Sequence, residues 1–293
     1  YYPAVFACGL LNSQPMGFYA PAQIIRDARD HGVTVLPVDV NHSHWDGALE
    51  QVPNSEAFAL RLGFRQVKGF PQESAEAICQ ARSVHAFRDV YDLWRRTGLR
   101  VDLVEKLADA DCFNSVELKR RQALWAVKGL RDSALPLFAA AEQKLSDKAT
   151  GRGESELPIE LMKEPSITLA DMTIGEEVIC DYSTLRLTLK AHPVTLLRGS
   201  FRKKYMRAAD LLNHKTGDWV DVVGLAICRQ RPGTASGVIF MTLEDDTGVA
   251  NIVVWPSMFE RFRKQVLRSR LLGVTGKMER EGLVVHVIAS HLV

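Results

Sequence analysis

The clearest hydrophobic pattern occupies the last part of the chain, where β-prone runs alternate with short turn sequences. The β-prone runs are Trp219–Arg231, Val238–Glu244, Val249–Trp255, Leu271–Met278 and Leu283–Ala289. Pro256 follows the third run at a position suited to the start of a helix, because proline is tolerated in the first helical turn. Behind it, apolar residues recur at helical spacing at Phe259, Phe262 and Val266. Three strands, a helix and two further strands predict an OB-fold β-barrel.

A helical pattern fills residues 59–130. Apolar side chains recur at helical spacing around Ala75–Cys79 and again around Leu103–Ala110. Short loops lie beside both helices, and a further helix follows the second loop. The predicted elements are the loop Val67–Pro71, the helix Gln72–Arg82, the loop Asp111–Ser115 and the helix Glu117–Lys128. Two such loops between helices predict a tandem helix-hairpin-helix domain.

The remaining segments have weaker patterns. The start of the chain combines a predicted helix, Ala22–His31, with an extended run, Val33–Val38. A polar stretch with glycine and proline at 139–165 predicts a linker, and residues 174–190 predict a helix that ends before Pro193. The predicted fold is therefore multidomain α plus β. Its domains are a mixed region at 1–58, the tandem helix-hairpin-helix domain at 59–130, a linker and helical connector at 131–200, and the OB-fold domain at 201–293.

The net charge of +2 hides an uneven distribution. Residues 59–130 hold 13 Lys and Arg against 9 Asp and Glu, and residues 200–293 hold 14 against 9. The other segments are acidic, with 2 against 6 in residues 1–58 and 8 against 11 in residues 131–199. Two basic blocks joined by an acidic one predict two modules that bind a polyanion. Solvated surface charge alone would give the same distribution, and this alternative stays open.

Composition excludes several other classes of protein. The apolar fraction of 46% is that of a globular chain, and no apolar run is long enough to span a bilayer or to resemble a signal peptide. The five cysteines form no Cys-x-x-Cys pair, so neither a zinc ribbon nor a disulfide framework is predicted. A reducing cytoplasm is the expected compartment. The chain opens with Tyr-Tyr-Pro rather than Met, so we expect it to be part of a longer protein.

The first hairpin offers a candidate site for a phosphate. A glycine in its loop lets the backbone turn tightly, and the helix behind it presents free N–H groups to an anion. The candidate phosphate-binding residues are Lys68, Gly69, Gln72 and Ser74. Pro71 stands where a second glycine is common in such hairpins, and it removes one donor. A plain turn that connects two helices is the alternative.

The second hairpin offers a more basic candidate. Its predicted phosphate contacts are Ser115, Lys119, Arg120 and Arg121. Ser115 is placed to cap the predicted helix. Three consecutive cations in the first turns oppose the helix dipole, and this cost makes sense where a phosphate is normally bound. A solvated basic face is the alternative.

The predicted barrel carries candidate contacts for a single nucleic-acid strand, because such barrels combine a basic groove with aromatic stacking platforms. Arg229 and Arg231 lead into its first loop, and Lys277 and Arg280 flank its last hairpin. Phe240 and Trp255 are the candidate platforms, although each aromatic taken singly fits a barrel core better.

A metal site is not predicted. The carboxylate pair Asp245-Asp246 suggests Mg²⁺, but it precedes Thr247-Gly248 between two predicted strands, where aspartate is a common turn residue. No Walker loop, nucleophile elbow or zinc motif occurs in the sequence. No catalytic residue, metal or cofactor is therefore assigned to this chain.

Several motifs resemble those of the bacterial C-family DNA polymerases. The run Asn12–Tyr19, with Tyr2–Ala4 before it, is similar to the late fingers region of that family. It is typical of the error-prone ImuC branch rather than of the replicative polymerase III alpha subunit. Further similar segments are Leu60–Arg82, Leu107–Phe113, Arg120–Trp125, Asp181–Pro193 and Thr242–Gly248. The resemblance covers the whole chain and implies that residues 1–58 are a helical remnant of the fingers.

The resemblance implies that a longer parent protein performs template-directed nucleotidyl transfer with Mg²⁺, in translesion synthesis and DNA repair. The family's catalytic aspartates lie on a palm domain, and no position of this chain matches them. The chain itself would hold primer–template duplex on its hairpins and single-stranded template near its barrel, and it would be inactive alone. The alternative is a non-enzymatic accessory module that binds nucleic acid with the same hairpins and barrel.

One departure from the family concerns the sliding clamp. Replicative relatives carry a clamp-binding pentapeptide of the Gln-x-x-Leu-Phe kind after the hairpins. The matching segment here is Ala134-Leu135-Pro136-Leu137-Phe138. The Leu-Phe end is kept, but Ala134 lacks the amide of glutamine. The resemblance therefore implies weak or indirect clamp binding, with an ImuB-like Y-family partner supplying that contact.

Overall fold

The computed structural model describes residues 2–17, 19–53, 55, 57–130, 169–282 and 284–293 of the chain. The chain forms two compact units, Tyr1–Leu189 and Lys190–Val293, and each has its own hydrophobic core. Helical hairpins in the first unit and a closed β-barrel in the second confirm the predicted α plus β fold class. The finer division into four domains stays a prediction.

The first unit opens with two helices and a small sheet. Helices α1 (Pro3–Asn12) and α2 (Pro21–Asp30) both begin at a proline. The strands of the sheet are β1 (Val35–Leu36), β2 (Ala48–Gln51) and β3 (Phe58–Arg61). β3 lies in the middle, parallel to β1 and antiparallel to β2. The predicted run Val33–Val38 thus contains a strand of only two residues, and β2 and β3 are too short to give a periodic signal.

The hairpin helices follow this sheet. They are α3 (Gln72–Arg82), α4 (Val90–Thr97), α5 (Val101–Asp109), α6 (Arg120–Lys128) and α7 (Ile174–Thr184). Short 3₁₀ turns at Phe64–Gln66 and Asn114–Val116 lie ahead of α3 and α6. Val67, Phe70 and Phe113 from the two hairpin loops are buried in the core of the unit. Their burial fixes the loops against the helices, because apolar surface is removed from water.

α6 begins later than predicted. The sequence pattern placed its first residue at Glu117, whereas the helix starts at Arg120 with Lys119 as its N-cap. Glu117 adopts a left-handed backbone with φ of 58°, which is incompatible with a right-handed helix. Ser115 lies in the preceding 3₁₀ turn. The prediction that Ser115 caps the helix is therefore wrong.

The second unit is a closed barrel preceded by the short helix α8 (Pro193–Leu197) and a 3₁₀ turn at Ala208–Asn213. The strands are β4 (Trp219–Gln230), β5 (Ile239–Glu244), β6 (Val249–Val254), β7 (Leu271–Glu281) and β8 (Val284–Leu292). They pair in the order β4-β5-β6-β8-β7, and β7 closes the barrel on β4. Helices α9 (Pro256–Arg261) and α10 (Arg263–Arg268) connect β6 to β7. This element order confirms the predicted OB-fold.

Alternation along the strands fills the barrel. Met241, Met278 and Val287 are almost fully buried, while the residues on either side of each along the strand are exposed or half-buried. β6 and β8 run parallel and all other neighbouring strands run antiparallel. The barrel is thus a packed scaffold whose outer face and loops are available for binding.

Two further expectations concern other parts of the chain. None of the helices in the described part of the chain is both long enough and apolar enough to cross a membrane. The clamp-like segment Ala134–Phe138 lies outside the described residues.

Candidate nucleic-acid interface

The first hairpin presents an exposed loop flanked by two cations. Gly69 has φ of 68°, a left-handed conformation that glycine adopts without strain. Lys68 is exposed beside it, and the Lys106 ammonium of α5 donates a hydrogen bond to the Gly69 carbonyl at 2.9 Å. Within the described ranges, neither Lys68 nor Lys106 forms an ion pair with a carboxylate. Two cations at a tight turn are suited to a phosphate, which is contacted without sequence readout.

The start of α3 completes this surface. Pro71 is its N-cap and supplies no side-chain hydrogen bond, so the first-turn N–H groups remain available to an anion. The Gln72 side chain donates to Glu76 at 2.9 Å, and Ser74 is half-buried. Glu73 adds a negative charge in the same turn. Lys68, Lys106 and the backbone are therefore the best-placed groups, and phosphate contacts by Gln72 and Ser74 stay predictions.

Arg120, the middle cation of the second hairpin, has no exposed side-chain surface. Its Nη1 lies 2.5 Å from the Glu177 carboxylate, and its Nη2 is paired with Asp181. Burial alone would lower the pKa of Arg120, but the hydrogen bond to Asp181 and the nearby carboxylates raise it above the ordinary value. A charged guanidinium enclosed by two carboxylates cannot reach a phosphate. The prediction that Arg120 contacts a phosphate is therefore wrong, because this side chain ties α6 to α7 instead.

The two cations beside it are also occupied. The Lys119 ammonium lies 2.6 Å from the Asp171 carboxylate. Arg121 donates from Nη1 to the Ala170 carbonyl at 2.6 Å, and its Nη2 lies 3.8 Å from Glu176. Both side chains remain partly exposed, so these contacts can be exchanged for a phosphate. One acidic stretch around the start of α7 thus covers the basic start of α6.

Ser115 belongs to a polar network behind the second hairpin. Its backbone N–H donates to the buried Asp39 carboxylate at 2.9 Å, and its hydroxyl accepts a hydrogen bond from Asn41 at 3.0 Å. Asn41 also accepts from the Phe87 N–H at 2.7 Å. A carboxylate already occupies the anion position at the Ser115 N–H. The structure therefore gives Ser115 a role in fixing the loop.

The six candidate single-strand residues fall at opposite ends of β4. Lys277 lies opposite Trp219, the first residue of β4, whereas Phe240 lies opposite Gln230, the last. A strand of 12 residues spans roughly 35–40 Å. The structure thus divides the candidates into two surfaces rather than bringing all six together.

The surface at the far end of β4 contains four of them. Phe240 and Trp255 keep 37% and 51% of their surface exposed, so both lie outside the barrel core. The Arg231 guanidinium lies 5.5 Å from the centre of the Phe259 ring. Arg229 donates to the Val266 carbonyl at 2.7 Å and is therefore held against the end of α10. Arg231 and the two exposed aromatics remain the groups best placed for a base and its phosphate.

The surface at the near end of β4 contains the other two. The Lys277 ammonium lies 5.5 Å from the ring of Trp219, which is 59% exposed. Arg280 reaches the Leu212 carbonyl at 3.5 Å, a long hydrogen bond that leaves most donors of its guanidinium for other partners. A cation stacked on an exposed indole can present both charge and a stacking face to a strand.

Asp245 and Asp246 hold the chain together at the loop between β5 and β6. One Asp245 oxygen accepts from the N–H groups of Thr247 and Gly248 at 2.7 and 2.9 Å. Arg198 pairs with both aspartates at 2.7 Å. Burial alone would raise the pKa of Asp245, but the hydrogen bonds from Ala208, Thr247 and Gly248 lower it below its usual range. These oxygens are engaged in a turn, as the sequence pattern predicts.

Sequence reasoning missed three groups of candidate residues. Lys106 reaches the first hairpin from α5, 37 residues along the chain, and no local pattern links it to Gly69. Trp219 begins a strand, and its exposure depends on the barrel's closure. The basic run Arg202–Lys204 lies just before the barrel and is visible in the sequence as three consecutive cations.

Two known domain families match the chain. The family described as a helix-hairpin-helix motif matches residues 32–123, and the family described as an OB-fold nucleic acid binding domain matches residues 219–292. The first range contains both hairpin loops, and the second contains the barrel. The two domain types predicted from the hydrophobic pattern are therefore confirmed.

Relatives match the chain from end to end. The error-prone DNA polymerase 1 of Rhizobium meliloti is 48% identical over 314 residues, which cover 100% of this chain and 27% of that protein. The error-prone DNA polymerase of Ruegeria pomeroyi is 50% identical over 295 residues, covering 100% and 25%. The chain is homologous throughout to part of the error-prone DNA polymerases. This confirms the resemblance drawn from the motifs, and the chain spans about a quarter of the length of these curated relatives.

Two solved structures resemble the chain over about a third of its length. Asparaginyl-tRNA synthetase from Pyrococcus horikoshii gives a TM-score of 0.26 at 20% identity, over 31% of this chain and 22% of that one. The protein ygiW from E. coli gives 0.25 at 11% identity, over 31% and 89%. At these scores neither likeness bears on function.

Proposed function

We propose that this chain is the DNA-holding portion of an error-prone DNA-directed DNA polymerase that serves translesion synthesis and DNA repair. The hairpins hold primer–template duplex through its phosphates, and the barrel holds single-stranded template. The observation that carries the proposal is the first hairpin, where Lys68 and Lys106 flank the exposed turn at Gly69. End-to-end identity of 48–50% to named error-prone DNA polymerases supports the polymerase parent.

The proposal assigns nucleotidyl transfer, and the Mg²⁺ that it uses, to parts of the parent outside these 293 residues. The support is the resemblance, since no position here matches the family's palm aspartates. Within the described ranges, no three His, Cys, Asp or Glu side chains are grouped so that they could hold a metal ion. We expect the chain alone to be inactive as a polymerase.

The proposed partners are duplex DNA, single-stranded DNA and an ImuB-like Y-family protein. Clamp contact is weak or passes through that protein, because the degenerate segment Ala134–Phe138 lacks the glutamine of clamp-binding motifs. The proposed compartment is the cytoplasm, and the support is the set of five unpaired cysteines.

Binding and activity assays on the 293-residue chain test the proposal. We expect it to bind a primer–template with single-stranded overhang, with an affinity that falls as salt rises, because counterions are released from each contacted phosphate. The affinity should not depend on base sequence. No nucleotide incorporation is expected with Mg²⁺ present.

Two results would count against the proposal. Nucleotide incorporation by this chain, abolished by a chelator, would place a catalytic site within it. A parent protein that binds DNA but fills no gap in a primed template would favour the non-enzymatic accessory module.

A further inference from the structure

A basic cleft lies beside the barrel, on the segment that precedes β4. Its volume is about 690 Å³, within the roughly 300–1,000 Å³ of sites that enclose small ligands. Residues 198–207 supply five cations and no acidic residue. Arg198, Lys203, Lys204 and Arg207 line the cleft, and Arg202 is exposed beside it on the same segment. None of these residues belongs to the candidate surfaces that the sequence pattern indicated.

Contacts with the barrel fix the shape of this cleft. The Met206 N–H donates to the Asp221 carbonyl at 2.7 Å, so the segment runs alongside the start of β4. Tyr205 packs on Gly273 of β7, where a β-carbon would lie only 2.8 Å from its hydroxyl oxygen. The Phe201 ring meets the Tyr205 ring edge-on, with centroids 5.5 Å apart. Two half-buried aromatic rings therefore form a preorganised wall.

The cations of the segment divide into anchored and free ones. Arg198 is held by Asp245 and Asp246, and Lys203 is paired with Asp221. Arg202, Lys204 and Arg207 are exposed and form no ion pair within the ranges that the structure describes. Three unpaired cations that project from a backbone braced by the anchored pairs are the arrangement expected of an anion site.

Asp210 and His214 also line the cleft and restrict the kind of anion that it can bind. Asp210 contributes one negative charge to the lining, and His214 lies 3.4 Å from Asp218. The lining as a whole keeps an excess of positive charge over this one carboxylate. An extended chain of phosphates can contact several cations along the cleft and avoid Asp210. A compact anion contacts fewer of these cations and is therefore bound less favourably.

The cleft continues into the near-end surface of the barrel. Lys203 lies 3.3 Å from the Thr275 hydroxyl, and Thr275 and Lys277 share one face of β7 because strand side chains alternate. Trp219 lies opposite Lys277 on the same face, and Arg280 reaches the turn that carries Asp210 and His214. A path of positive charge and exposed aromatic surface thus leads from the cleft to the barrel.

We propose that this cleft binds the phosphodiester backbone of single-stranded DNA and passes the strand to the Trp219–Lys277 surface. The proposal rests on the proposed function and assigns the strand to a segment before the barrel rather than to the far end of β4. A cleft of this size encloses a nucleotide or two of flexible strand, while a rigid duplex meets only its rim. The exposed cations supply charge, and the ordered aromatic wall supplies contact with a sugar or a base.

The test measures binding of a fluorescent oligothymidine and of a blunt duplex to the 293-residue chain across a range of salt. The cleft variant combines Arg202→Ala, Lys204→Ala and Arg207→Ala. The control combines Lys264→Ala, Arg268→Ala and Arg270→Ala, three exposed cations that remove the same charge from the same unit. Thermal unfolding verifies that both variants fold.

We expect the cleft variant to lose roughly tenfold or more in affinity for the single strand. Its salt slope should fall by up to about two units, since each lost phosphate contact with a single strand removes about 0.7. Its duplex affinity should change by less than twofold, and the control should change little for either ligand. Competition by deoxythymidine triphosphate without metal should require millimolar concentrations.

Other outcomes separate the two proposals. The proposed strand site in the cleft would be overturned if the cleft variant and the control lost equal affinity for the single strand, or if the cleft variant lost none. Either result would leave DNA binding by the chain intact. Competition by deoxythymidine triphosphate at micromolar concentrations would overturn the proposal that the cleft binds a DNA strand and would identify its ligand as a free nucleotide. Absence of any DNA binding by the unmodified chain would instead overturn the proposed function.

Discussion

The two helical hairpins share a sequence pattern but differ in what surrounds their cations. At the first, Lys68 and Lys106 flank an exposed glycine turn and form no ion pair among the described residues. At the second, Lys119 and Arg121 contact an acidic stretch, and Arg120 is buried between two carboxylates. The second hairpin thus has more basic residues in its sequence than the first, but less of its positive charge is available to a ligand.

The two hairpins differ because acidic residues from a distant part of the sequence contact the cations of the second one. Asp171, Glu177 and Asp181 lie 52 to 61 residues beyond the cations that they contact. A run of basic residues can bind an external ligand or pair with carboxylates of the same protein. The local sequence is the same in both cases and does not distinguish them. The first hairpin is therefore the better-prepared phosphate site, and the second is the better-anchored one.

Replacing Arg120 gives the largest expected effect. Arg120→Met leaves the buried Asp181 and half-buried Glu177 carboxylates without their cation, and breaking a buried ion pair from one side costs about 3–5 kcal/mol. Chemical denaturation of the chain should show this loss in the free energy of unfolding. The matched control is Arg121→Met, which is partly exposed and should change it by less than about 1 kcal/mol. A stable Arg120→Met chain with weakened DNA binding would reverse our assignment.

The two hairpins should contribute unequally to DNA binding. Removing both cations of the first hairpin, Lys68→Ala with Lys106→Ala, should flatten the salt dependence of duplex binding by up to about two units of slope. The matched pair Lys119→Ala with Arg121→Ala should flatten it less, because these cations already contact Asp171, Ala170 and Glu176. The measurement is duplex affinity at several salt concentrations. Equal slopes for the two variants would show that the two hairpins contact duplex phosphates to the same extent.

Substitutions at the left-handed residues of the two turns should change stability in opposite directions. Gly69→Ala should destabilise the chain by roughly 1–2 kcal/mol, because φ of 68° is strained for any residue with a β-carbon. The nearest atom to that carbon would be the Lys106 ammonium nitrogen at 3.8 Å, so the cost is conformational rather than a clash. Glu117→Gly in the second hairpin should act in the opposite direction, since Glu117 itself has φ of 58°. Denaturation midpoints that move the same way for both variants would contradict this account.

The sequence predicted the fold more fully than the site. The strands of the barrel were placed within a few residues, because alternation and turn residues are local signals. The helix α3 matches its predicted range of Gln72–Arg82. The small sheet was missed, since β2 and β3 have four residues each and are defined by their pairing.

The candidate site depended on contacts that no local pattern contains. The sequence around Arg120 predicts a surface cation, but α7 encloses its side chain in the folded chain. No local pattern predicts the position of Lys106, because its partner, Gly69, is 37 residues away in the sequence. The barrel candidates were individually reasonable, but their division between the two ends of β4 follows from strand register, which only the folded chain fixes.

The smallest expected effect tests whether the acidic stretch competes with DNA at the second hairpin. Asp171→Asn with Glu176→Gln removes the two side-chain charges nearest Lys119 and Arg121. Glutamine preserves the capping box that Glu176 forms with Thr173 at the start of α7, so the helix should remain intact. Exposed ion pairs are weak, so releasing the two cations should raise duplex affinity by only about twofold to fivefold. The salt slope should become steeper by up to about two units as both cations take phosphates.

A second acidic pair distinguishes this effect from a change in net charge. Asp27→Asn with Asp30→Asn on α2 removes the same charge from a helix in the same unit. If both variants gain affinity equally, the gain reflects net charge, and the second hairpin is not a DNA contact. If neither gains, Lys119 and Arg121 serve the fold alone, as Arg120 does. A gain confined to Asp171→Asn with Glu176→Gln would show that the second hairpin carries a phosphate site masked by acidic residues of its own chain. Both hairpins would then be phosphate sites, and they would differ only in whether carboxylates of the chain already contact their cations.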